Sequence, residues 1–246
     1  MEKQAAYTYL ADWFEYLNDD CDYENWSQYF VLRLKEKQVK KGLDVGCGSG
    51  YFTRAFFRAG FDTTGLDCST AMLEKAEELS RKEGVRCRYL LGDIRAFKTH
   101  EKFDFVTAIN DCFNYIQKNK LVAAFKNVAA ALVQGGYFFF DISSERKFRK
   151  KIANTVSVDD REEVTYICFP NVSEHEATLE VSLFVKGTDG KYERKDERHT
   201  QYIYKEEEIL SALNTAGFTI ESVTGHLGEQ KDESDRLSFV ARKGRV

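Results

Sequence analysis

The sequence predicts an α/β protein built on a doubly wound, mostly parallel sheet. From residue 42 to residue 142, five short apolar runs alternate with helical patterns, which is typical of βαβ units. After residue 152 the pattern changes to strand-rich segments separated by turn residues, which indicates an antiparallel meander. A chain of 246 residues is long enough for one such domain with a smaller insert.

The parallel part of the sheet is predicted from five strands and the helices between them. The strands are expected at residues 42–46, 61–67, 85–91, 103–109 and 135–142. The first helix follows a glycine-rich loop, and the second has Ser69 as its expected N-cap and Gly84 at its end. A third helix is expected at 119–133, and an amphipathic helix at 24–38 precedes the first strand.

The rest of the chain supplies an insert and a closing hairpin. Strands are expected at 162–170, 177–187 and 192–204, followed by a helix at 205–217 and a hairpin of strands 218–225 and 235–243. The sequence therefore predicts a sheet domain formed by residues 1–142 and 204–246, and an antiparallel β insert formed by residues 143–203.

Composition disfavours several classes of function. The net charge of -4 and the pI of about 5.7 argue against duplex nucleic acid as a partner. The six cysteines form no CxxC pair and no cluster at zinc spacing, so we expect reduced thiols in a cytoplasmic protein and no metal site. The N-terminus lacks the features of a signal peptide, and no run approaches the roughly 20 apolar residues of a membrane span. The sequence does not indicate the oligomeric state.

A glycine-rich loop follows the first predicted strand directly, in "LDVGCGSG" (residues 43–50). In a strand–loop–helix unit such a loop lets a ligand approach the main chain, and free N–H groups there favour a phosphate or a carboxylate. The spacing is GxGxG, and Tyr51 stands where the dinucleotide fingerprint GxGxxG needs its last glycine. The spacing therefore argues against a pyrophosphate.

Two acidic residues follow the next two strands, at the edge where open α/β sheets bind ligands. Asp67 ends the second predicted strand, about 20 residues after the first glycine of the loop. At this spacing a carboxylate reaches ribose hydroxyls in such folds. A nucleoside is therefore indicated. Asp93 follows the third strand and is either a second ligand-binding carboxylate or a helix N-cap or surface acid.

Five segments follow one another in order within residues 42–142: "LDVGCGSG", "GLDCSTAML", "LLGDI", "FDFVTAINDCFNYI" and "LVQGGYFFFDI". Together they resemble the class I S-adenosylmethionine-dependent methyltransferases. The resemblance implies a Rossmann-like sheet of seven strands whose last strand is antiparallel, and S-adenosylmethionine as the cofactor. It also implies in-line transfer of a methyl group as the reaction.

The resemblance assigns parts of this cofactor to residues of the chain. The glycine loop would lie against the amino-acid moiety, with Asp44 near its amino group, Asp67 at the ribose hydroxyls and Asp93 at the adenine amino group. The segment from Asn110 onward would pass beside the sulfonium and face the substrate. The expected cofactor-binding residues are Tyr23, Trp26, Asp44, Gly46, Cys47, Gly48, Gly50, Asp67, Cys68, Met72, Asp93, Ile94 and Asn110.

The remainder resembles a narrower subgroup of small bacterial methyltransferases, through "DYENW" (22–26), "NY" (114–115) and "ERHTQYIY" (197–204). This resemblance implies that the β insert forms a lid over the active site. The chain departs from the subgroup at Phe14-Glu15, where Tyr-Asp is usual, and at Tyr202, where arginine is usual. The aromatic N-terminal region either packs on the sheet or forms a wall over the ligand.

Four residues are candidates for contact with the methyl acceptor: Asp111, Asn114, Tyr115 and His199. Histidine accepts a proton near neutral pH, and His199 lies on the expected lid. A structural role is equally open for His199, and a loop-cap role for Asp111. A small-molecule acceptor is expected, with a tRNA base or a protein side chain left open. Two rival functions stand beside methyl transfer: a nicotinamide-dependent oxidoreductase and an S-adenosylmethionine-binding regulator without transfer.

Overall fold

A computed structural model describes residues 6–244, which fold around a seven-stranded sheet. In spatial order the strands are β10 (Phe218–Thr224), β11 (Arg236–Lys243), β5 (Leu132–Ser143), β4 (Phe103–Ala108), β1 (Lys41–Val45), β2 (Asp62–Asp67) and β3 (Arg88–Leu91). Neighbouring strands run parallel except β11, which is antiparallel to both β10 and β5. The predicted fold class is confirmed. Residues 1–5 and 245–246 of the predicted sheet domain lie outside the described part.

Helices cover both faces of this sheet. The α-helices are α1 (Phe14–Leu17), α2 (Tyr23–Glu36), α3 (Tyr51–Arg58), α4 (Thr70–Lys82), α5 (Lys118–Ala131), α6 (Glu145–Lys147) and α7 (Glu206–Thr215). Short 3-10 turns lie at Leu10–Trp13, Cys112–Tyr115, His226–Gly228 and Lys231–Glu233, and a π-helical turn at Phe148–Ile152. Ser69 caps α4 as predicted, because its hydroxyl accepts the N–H of Met72 at 3.3 Å. Within residues 6–244, no helix is both long enough and apolar enough to cross a membrane.

Aromatic side chains hold the helices to the sheet. On one face, Phe125 of α5 packs on Phe138 and Phe140 of β5, with ring centroids 5.9 and 5.5 Å apart. On the other face, Phe56 of α3 packs on Phe105 of β4, with ring centroids 6.3 Å apart. All five side chains are buried, and each stabilises the fold by roughly 1.5–3 kcal/mol through its removal from water.

The segment between β5 and α7 forms a separate antiparallel sheet. Its strands, in spatial order, are β6 (Ser157–Asp160), β7 (Val164–Val172), β8 (Glu176–Lys186) and β9 (Tyr192–Tyr202). One face packs on the N-terminal segment, where Leu10 shares a buried cluster with Val164, Val181 and Leu183. The sequence predicts β7, β8 and β9 but not β6, because the four residues of β6 are mostly exposed and show no apolar alternation.

Several element boundaries differ from the prediction by up to three residues, and two of these differences have a clear structural cause. The helix expected to reach residue 133 ends at Ala131, because Leu132 already has the extended backbone, with φ -78° and ψ 147°, that begins β5. Strand β3 begins at Arg88 rather than at residue 85, since only residues 88–91 pair with β2 at the edge of the sheet. Both differences lie at element ends, which side-chain patterns define poorly.

Candidate active site

A cleft opens at the carboxyl ends of β1, β2, β3 and β4, at the point where the strand order reverses beside β1. It encloses about 1190 Å³, counting the space at its open mouth. The predicted site residues that line it are Tyr23, Asp44, Gly46, Cys47, Gly48, Asp67, Cys68, Met72, Asp93, Ile94, Asn110 and Tyr115. Parallel strands bring these side chains together from distant parts of the sequence.

Some predicted site residues lie outside the cleft surface: Trp26, Gly50, Asp111, Asn114 and His199. Trp26 is only 2% exposed, because its ring packs on Phe52. Tyr23, one turn earlier on α2, both lines the cleft and stacks on Trp26 with ring centroids 6.1 Å apart. In this helix, Trp26 therefore packs within the protein, whereas Tyr23 forms part of the cleft wall, so each of the two alternatives for the aromatic region applies to a different residue.

The glycine loop is shaped by two different demands. Gly48 has a φ of +54°, and a Cβ there would meet no protein atom nearer than Met72 Cε at 4.0 Å, so the main chain is open to the cleft. Gly50 has a φ of +82°, and its Cβ would lie 2.4 Å from the Tyr89 hydroxyl. Gly50 therefore serves the packing of the loop on β3, whereas Gly48 gives close access to the backbone.

Asp44, at the end of β1, is a buried carboxylate below the glycine loop. Its oxygens accept hydrogen bonds from Thr53 Oγ1 at 2.6 Å and from Thr107 Oγ1 at 2.8 Å. Burial raises the pKa of Asp44 to about 6, although the two hydroxyl donors favour the ionised form. The carboxylate is thus held in a fixed position by α3 and β4.

Asp67, at the end of β2, joins the glycine loop to the start of α4. It accepts the main-chain N–H of Gly48 at 2.8 Å and that of Ser69 at 2.8 Å. Burial raises the pKa of Asp67, in spite of these hydrogen bonds. Because each oxygen of a carboxylate can accept more than one hydrogen bond, Asp67 retains acceptor capacity on the cleft side.

Asp93 lies at the rim of the cleft, beyond β3. Arg95 binds both of its oxygens through Nε, at 2.9 and 2.7 Å, and the Arg95 N–H donates to Oδ1 at 2.8 Å. These hydrogen bonds from Arg95 hold the pKa of Asp93 below its usual value. The local bonds correspond to the surface-acid alternative, while the position of Asp93 in the cleft wall is what the resemblance implies.

Glu15 of α1 is a cleft residue that the sequence did not single out as a ligand. It accepts a hydrogen bond from Ser49 Oγ at 2.6 Å and forms an ion pair with Arg54 Nη2 at 2.9 Å. Arg54 is 1% exposed and also binds Glu83 at 2.9 Å. A buried guanidinium thus ties the N-terminal segment to the glycine loop, a contact between residues too distant in sequence for any local pattern to indicate.

A hydrogen-bonded chain of polar side chains lies at the end of the cleft that is lined by Tyr7 and Tyr115. Tyr7 and Tyr115 line the cleft, and their hydroxyl oxygens are 2.9 Å apart. The Tyr115 hydroxyl lies 3.1 Å from Nδ1 of His199, whose Nε2 lies 3.1 Å from Glu197 Oε2. His199 therefore contacts the cleft through Tyr115. The sequence missed Tyr7 and Glu197, although the ExH spacing in a strand places Glu197 and His199 on one face.

The loop after β4 has a strained backbone. Asn110 and Asp111 have φ angles of 68° and 55°, and the fully buried Asp141 accepts their N–H groups at 3.3 and 2.7 Å. Arg236 donates to Asp141 at 3.3 Å and to Asn110 Oδ1, and lies over the Trp26 ring at 4.7 Å. Burial raises the pKa of Asp141 in spite of Arg236. A buried charge pair therefore fixes this part of the cleft wall.

Asp111 and Asn114 hold the same loop to β5 and β9. The Asp111 carboxylate accepts from Ser143 Oγ at 3.0 Å and from Gln201 Nε2 at 2.8 Å. It makes no capping hydrogen bond to the turn that follows it, so the loop-cap alternative is not found. Asn114 is fully buried, accepts the N–H of Ser143 at 2.8 Å and donates to the carbonyl of Tyr202 at 2.9 Å.

Metal ligands do not cluster in the described chain: residues 6–244 contain no group of three or more His, Cys, Asp or Glu side chains placed to hold a metal ion. The chemistry available in the cleft is that of carboxylates, main-chain N–H groups, tyrosine hydroxyls and an imidazole. Such groups bind and orient a polar ligand and accept a proton.

Comparison with known proteins gives consistent matches. A family model described as a methyltransferase domain matches residues 43–136. A putative methyltransferase of Geobacillus sp. (strain WCH70) is 30% identical over 246 residues, which cover 97% of this chain and 100% of that protein.

Among solved structures, an S-adenosylmethionine-dependent methyltransferase of Clostridium acetobutylicum ATCC 824 is 28% identical, with a TM-score of 0.86 over 95% of this chain and 97% of that one. The sugar N-methyltransferase KedS8 of Streptoalloteichus sp. shares the fold, with a TM-score of 0.84 at 19% identity over 100% and 97% of the two chains.

Proposed function

This chain belongs to the class I S-adenosylmethionine-dependent methyltransferases, and from that premise we propose which residues hold the cofactor and what kind of acceptor receives the methyl group. The protein is a methyltransferase, and S-adenosylmethionine is its cofactor. The relatives are named methyltransferases, so they support neither the nicotinamide-dependent oxidoreductase nor the regulator without transfer.

The observation that carries the assignment is the pairing of Gly48 and Asp67. The open main chain at Gly48 gives an amino-acid tail close access to the loop, and Asp67 beside it retains acceptor capacity for ribose hydroxyls. Asp44, which also lines the cleft, is held in place by Thr53 and Thr107. These residues fit a nucleoside that carries an amino-acid tail.

The cleft residues can be assigned to successive parts of the cofactor, from its amino-acid tail to its methyl group. We assign the amino-acid tail to Asp44, Gly46, Cys47 and Gly48, the ribose to Asp67, the adenine to Cys68, Met72, Asp93 and Ile94, and the methyl end to Tyr23, Asn110 and Tyr115. Trp26 and Gly50 support these residues through packing, because neither lines the cleft. Asp111 and Asn114 hold the loop that carries Asn110 and Tyr115.

The reaction demands little covalent chemistry of the protein itself. When bound, S-adenosylmethionine supplies a methyl carbon on a sulfonium sulfur, open to in-line attack by a lone pair of the acceptor. The residues of the chain position the acceptor and exclude water. Tyr7, Phe14 and Tyr115 contribute to the wall at the acceptor end, and His199 stands behind Tyr115 as a proton acceptor.

The acceptor is a small molecule. In support of this, the N-terminal segment lines the cleft through Tyr7, Phe14 and Glu15, and Glu197 of the insert accepts the N–H groups of Tyr7 and Leu10 at 2.8 and 2.7 Å. The insert, residues 143–203, lines no part of the cleft itself but holds the N-terminal segment against the domain formed by residues 1–142 and 204–246. We propose that the insert and this segment together form the lid. We also place the protein in the cytoplasm, in keeping with its six free thiols.

The test of the cofactor site is calorimetric titration of the protein with S-adenosylmethionine and with S-adenosylhomocysteine. Asp67→Ala should weaken binding about 100-fold, since hydrogen bonds to a carboxylate contribute roughly 1.5–3 kcal/mol each. Asp62→Ala, at the exposed start of the same strand, is the matched control and should bind like the wild type. Equal affinities for folded Asp67→Ala and Asp62→Ala would contradict the assignment.

The class of acceptor is tested with methyl-labelled cofactor. Protein and labelled S-adenosylmethionine are incubated with a cell extract that is then separated into small molecules, tRNA and protein. We expect the label in the small-molecule fraction. Label transferred to tRNA or to protein would replace the small-molecule proposal.

A further inference from the structure

The hydrogen-bonded chain from Glu197 to Tyr7 has a direction. The Glu197 side chain is fully buried and accepts the N–H groups of Tyr7, Tyr9 and Leu10 as well as His199 Nε2. Burial alone would raise the pKa of Glu197, but the hydrogen bonds from His199 and from the N–H groups of Tyr9 and Leu10 outweigh it and lower the pKa. Glu197 is therefore a carboxylate, which can only accept.

The donor in each following hydrogen bond is fixed by the hydrogen bond before it. Because Glu197 accepts, Nε2 of His199 carries a hydrogen, and in the neutral imidazole Nδ1 must accept. The Tyr115 hydroxyl, 3.1 Å from Nδ1, donates to it and so presents its oxygen lone pairs to Tyr7. The Tyr7 hydroxyl donates to Tyr115 at 2.9 Å. The chain ends at the oxygen of Tyr7, a cleft residue, with acceptor capacity only.

Resting on the function proposed above, we propose that the acceptor's nucleophile is an amine or hydroxyl that bears hydrogen, and that its proton leaves through Tyr7 and Tyr115 to His199. A cleft wall that ends in a hydrogen-bond acceptor recognises a donor, and N–H and O–H groups are donors. A thioether or a carbon nucleophile offers no such hydrogen. A carboxylate would place its charge against oxygen lone pairs, which is an unfavourable contact.

The step balances in atoms and charge. The lone pair of the nucleophile forms the new bond to the methyl carbon, and the electrons of the broken carbon–sulfur bond stay on sulfur. The proton of the nucleophile moves to Tyr7 as the Tyr7 proton moves to Tyr115 and the Tyr115 proton to Nδ1 of His199. The positive charge of the sulfonium is thereby replaced by an imidazolium that is paired with Glu197. Glu197 is a positioning residue, since it acts through His199.

The first test reads the tautomer of His199 directly. The chain has four histidines, and long-range ¹H–¹⁵N correlation of protein labelled at histidine resolves their ring nitrogens. His199→Gln assigns the signal. In the complex with S-adenosylhomocysteine, the ring of His199 should carry hydrogen on Nε2 and none on Nδ1. Hydrogen on Nδ1, or on both nitrogens, would overturn the relay, because His199 could not then accept a proton from Tyr115.

The second test measures turnover on a panel of paired small acceptors: amines, phenols and alcohols against carboxylates and thioethers of matched shape. Only N–H and O–H members should be methylated. Tyr115→Phe should lower kcat about 100-fold, a typical size for general base catalysis, with cofactor affinity within about threefold of the wild type. The double variant Tyr7→Phe/Tyr115→Phe should lose no more than the single variant, because both interrupt one pathway.

Tyr192→Phe is the matched control, since Tyr192 lies exposed at the start of β9 and contributes nothing to the cleft wall. Multiplicative losses in the double variant, or equal turnover of a carboxylate or thioether, would refute the relay. Calorimetry with S-adenosylhomocysteine separates the two levels of the proposal. Loss of binding in the wild type refutes the cofactor site, whereas intact binding with the wrong His199 tautomer refutes only the relay.

Discussion

The strained loop beside the cleft should depend on Asp141 more than on any exposed charge. Asp141→Ala removes the acceptor of two main-chain N–H groups, those of Asn110 and Asp111, and removes the fully buried partner of Arg236. Arg236 itself is only 15% exposed, so its guanidinium would remain in the interior with reduced compensation. We therefore expect a large loss of stability and a movement of the Asn110 wall.

The magnitude follows from the groups left behind. Breaking a buried ion pair from one side typically costs about 3–5 kcal/mol. Arg236 keeps a hydrogen bond to Asn110 Oδ1 and lies 3.7 Å from Asp111, which places the expected loss at about 3 kcal/mol. For a chain of this length, a loss of that size lowers the melting temperature by about 6–12 °C.

The assay is equilibrium unfolding in urea, followed by circular dichroism, for the wild type and the variants. Asp235→Ala is the matched control, because Asp235 pairs with Arg146 at the half-exposed surface and should cost less than about 1 kcal/mol. Adding Arg236→Met to Asp141→Ala should recover part of the loss, since it removes the uncompensated charge. A loss below about 1 kcal/mol for Asp141→Ala would refute the reasoning.

Two further predictions concern the base of the cleft. Asp44→Asn should raise the free energy of unfolding by about 2 kcal/mol at pH 8, because a pKa raised from 3.8 to about 6 penalises the buried carboxylate by about 3 kcal/mol and the variant loses one threonine hydrogen bond. The stability that wild-type Asp44 contributes below pH 4 is lost as pH rises through 6, so the advantage of Asn should fade on acidification. Unfolding curves that show a gain independent of pH would contradict this. Gly48→Ala and Gly60→Ala both place a side chain at a positive φ, which costs roughly 1–2 kcal/mol, but only the Cβ at Gly48 faces the cleft. Titration with S-adenosylhomocysteine should therefore show weaker binding for Gly48→Ala alone. Equal affinities of the two variants would remove Gly48 from the cofactor site.

Local sequence patterns predict the parallel core well, for a physical reason. Each strand of the core is a short apolar run bounded by helical periodicity, and Asp67 and Asp93 stand at strand ends, so topology alone brings them to one edge of the sheet. Strand β6 is different, because its order comes from pairing with β7 and not from its own side chains. No window of sequence contains that information.

The acceptor end of the site shows where such reasoning stops. The sequence predicts Tyr115 and His199 as candidates for contact with the methyl acceptor, and their side chains are in contact with each other. Tyr7 and Glu197 complete the same chain, yet the Glu197 carboxylate and the N–H of Tyr7 that it accepts are 190 residues apart in sequence. Long-range hydrogen bonds of this kind depend on how the insert folds back over the N-terminus, which no spacing rule expresses.

The two ends of the cleft are encoded in separate stretches of the chain. The cradle proposed for the cofactor lies almost entirely within the block matched by the methyltransferase-domain model, residues 43–136, whereas Tyr7 comes from the N-terminus and Glu197 and His199 from the insert. Along the chain, the insert is connected to the sheet domain where β5 ends and where α7 begins. Exchange of the insert and the N-terminal segment as a pair would therefore change the acceptor end of the cleft, and the residues proposed to hold the cofactor would stay in place if the contact of Glu15 with Arg54 were kept.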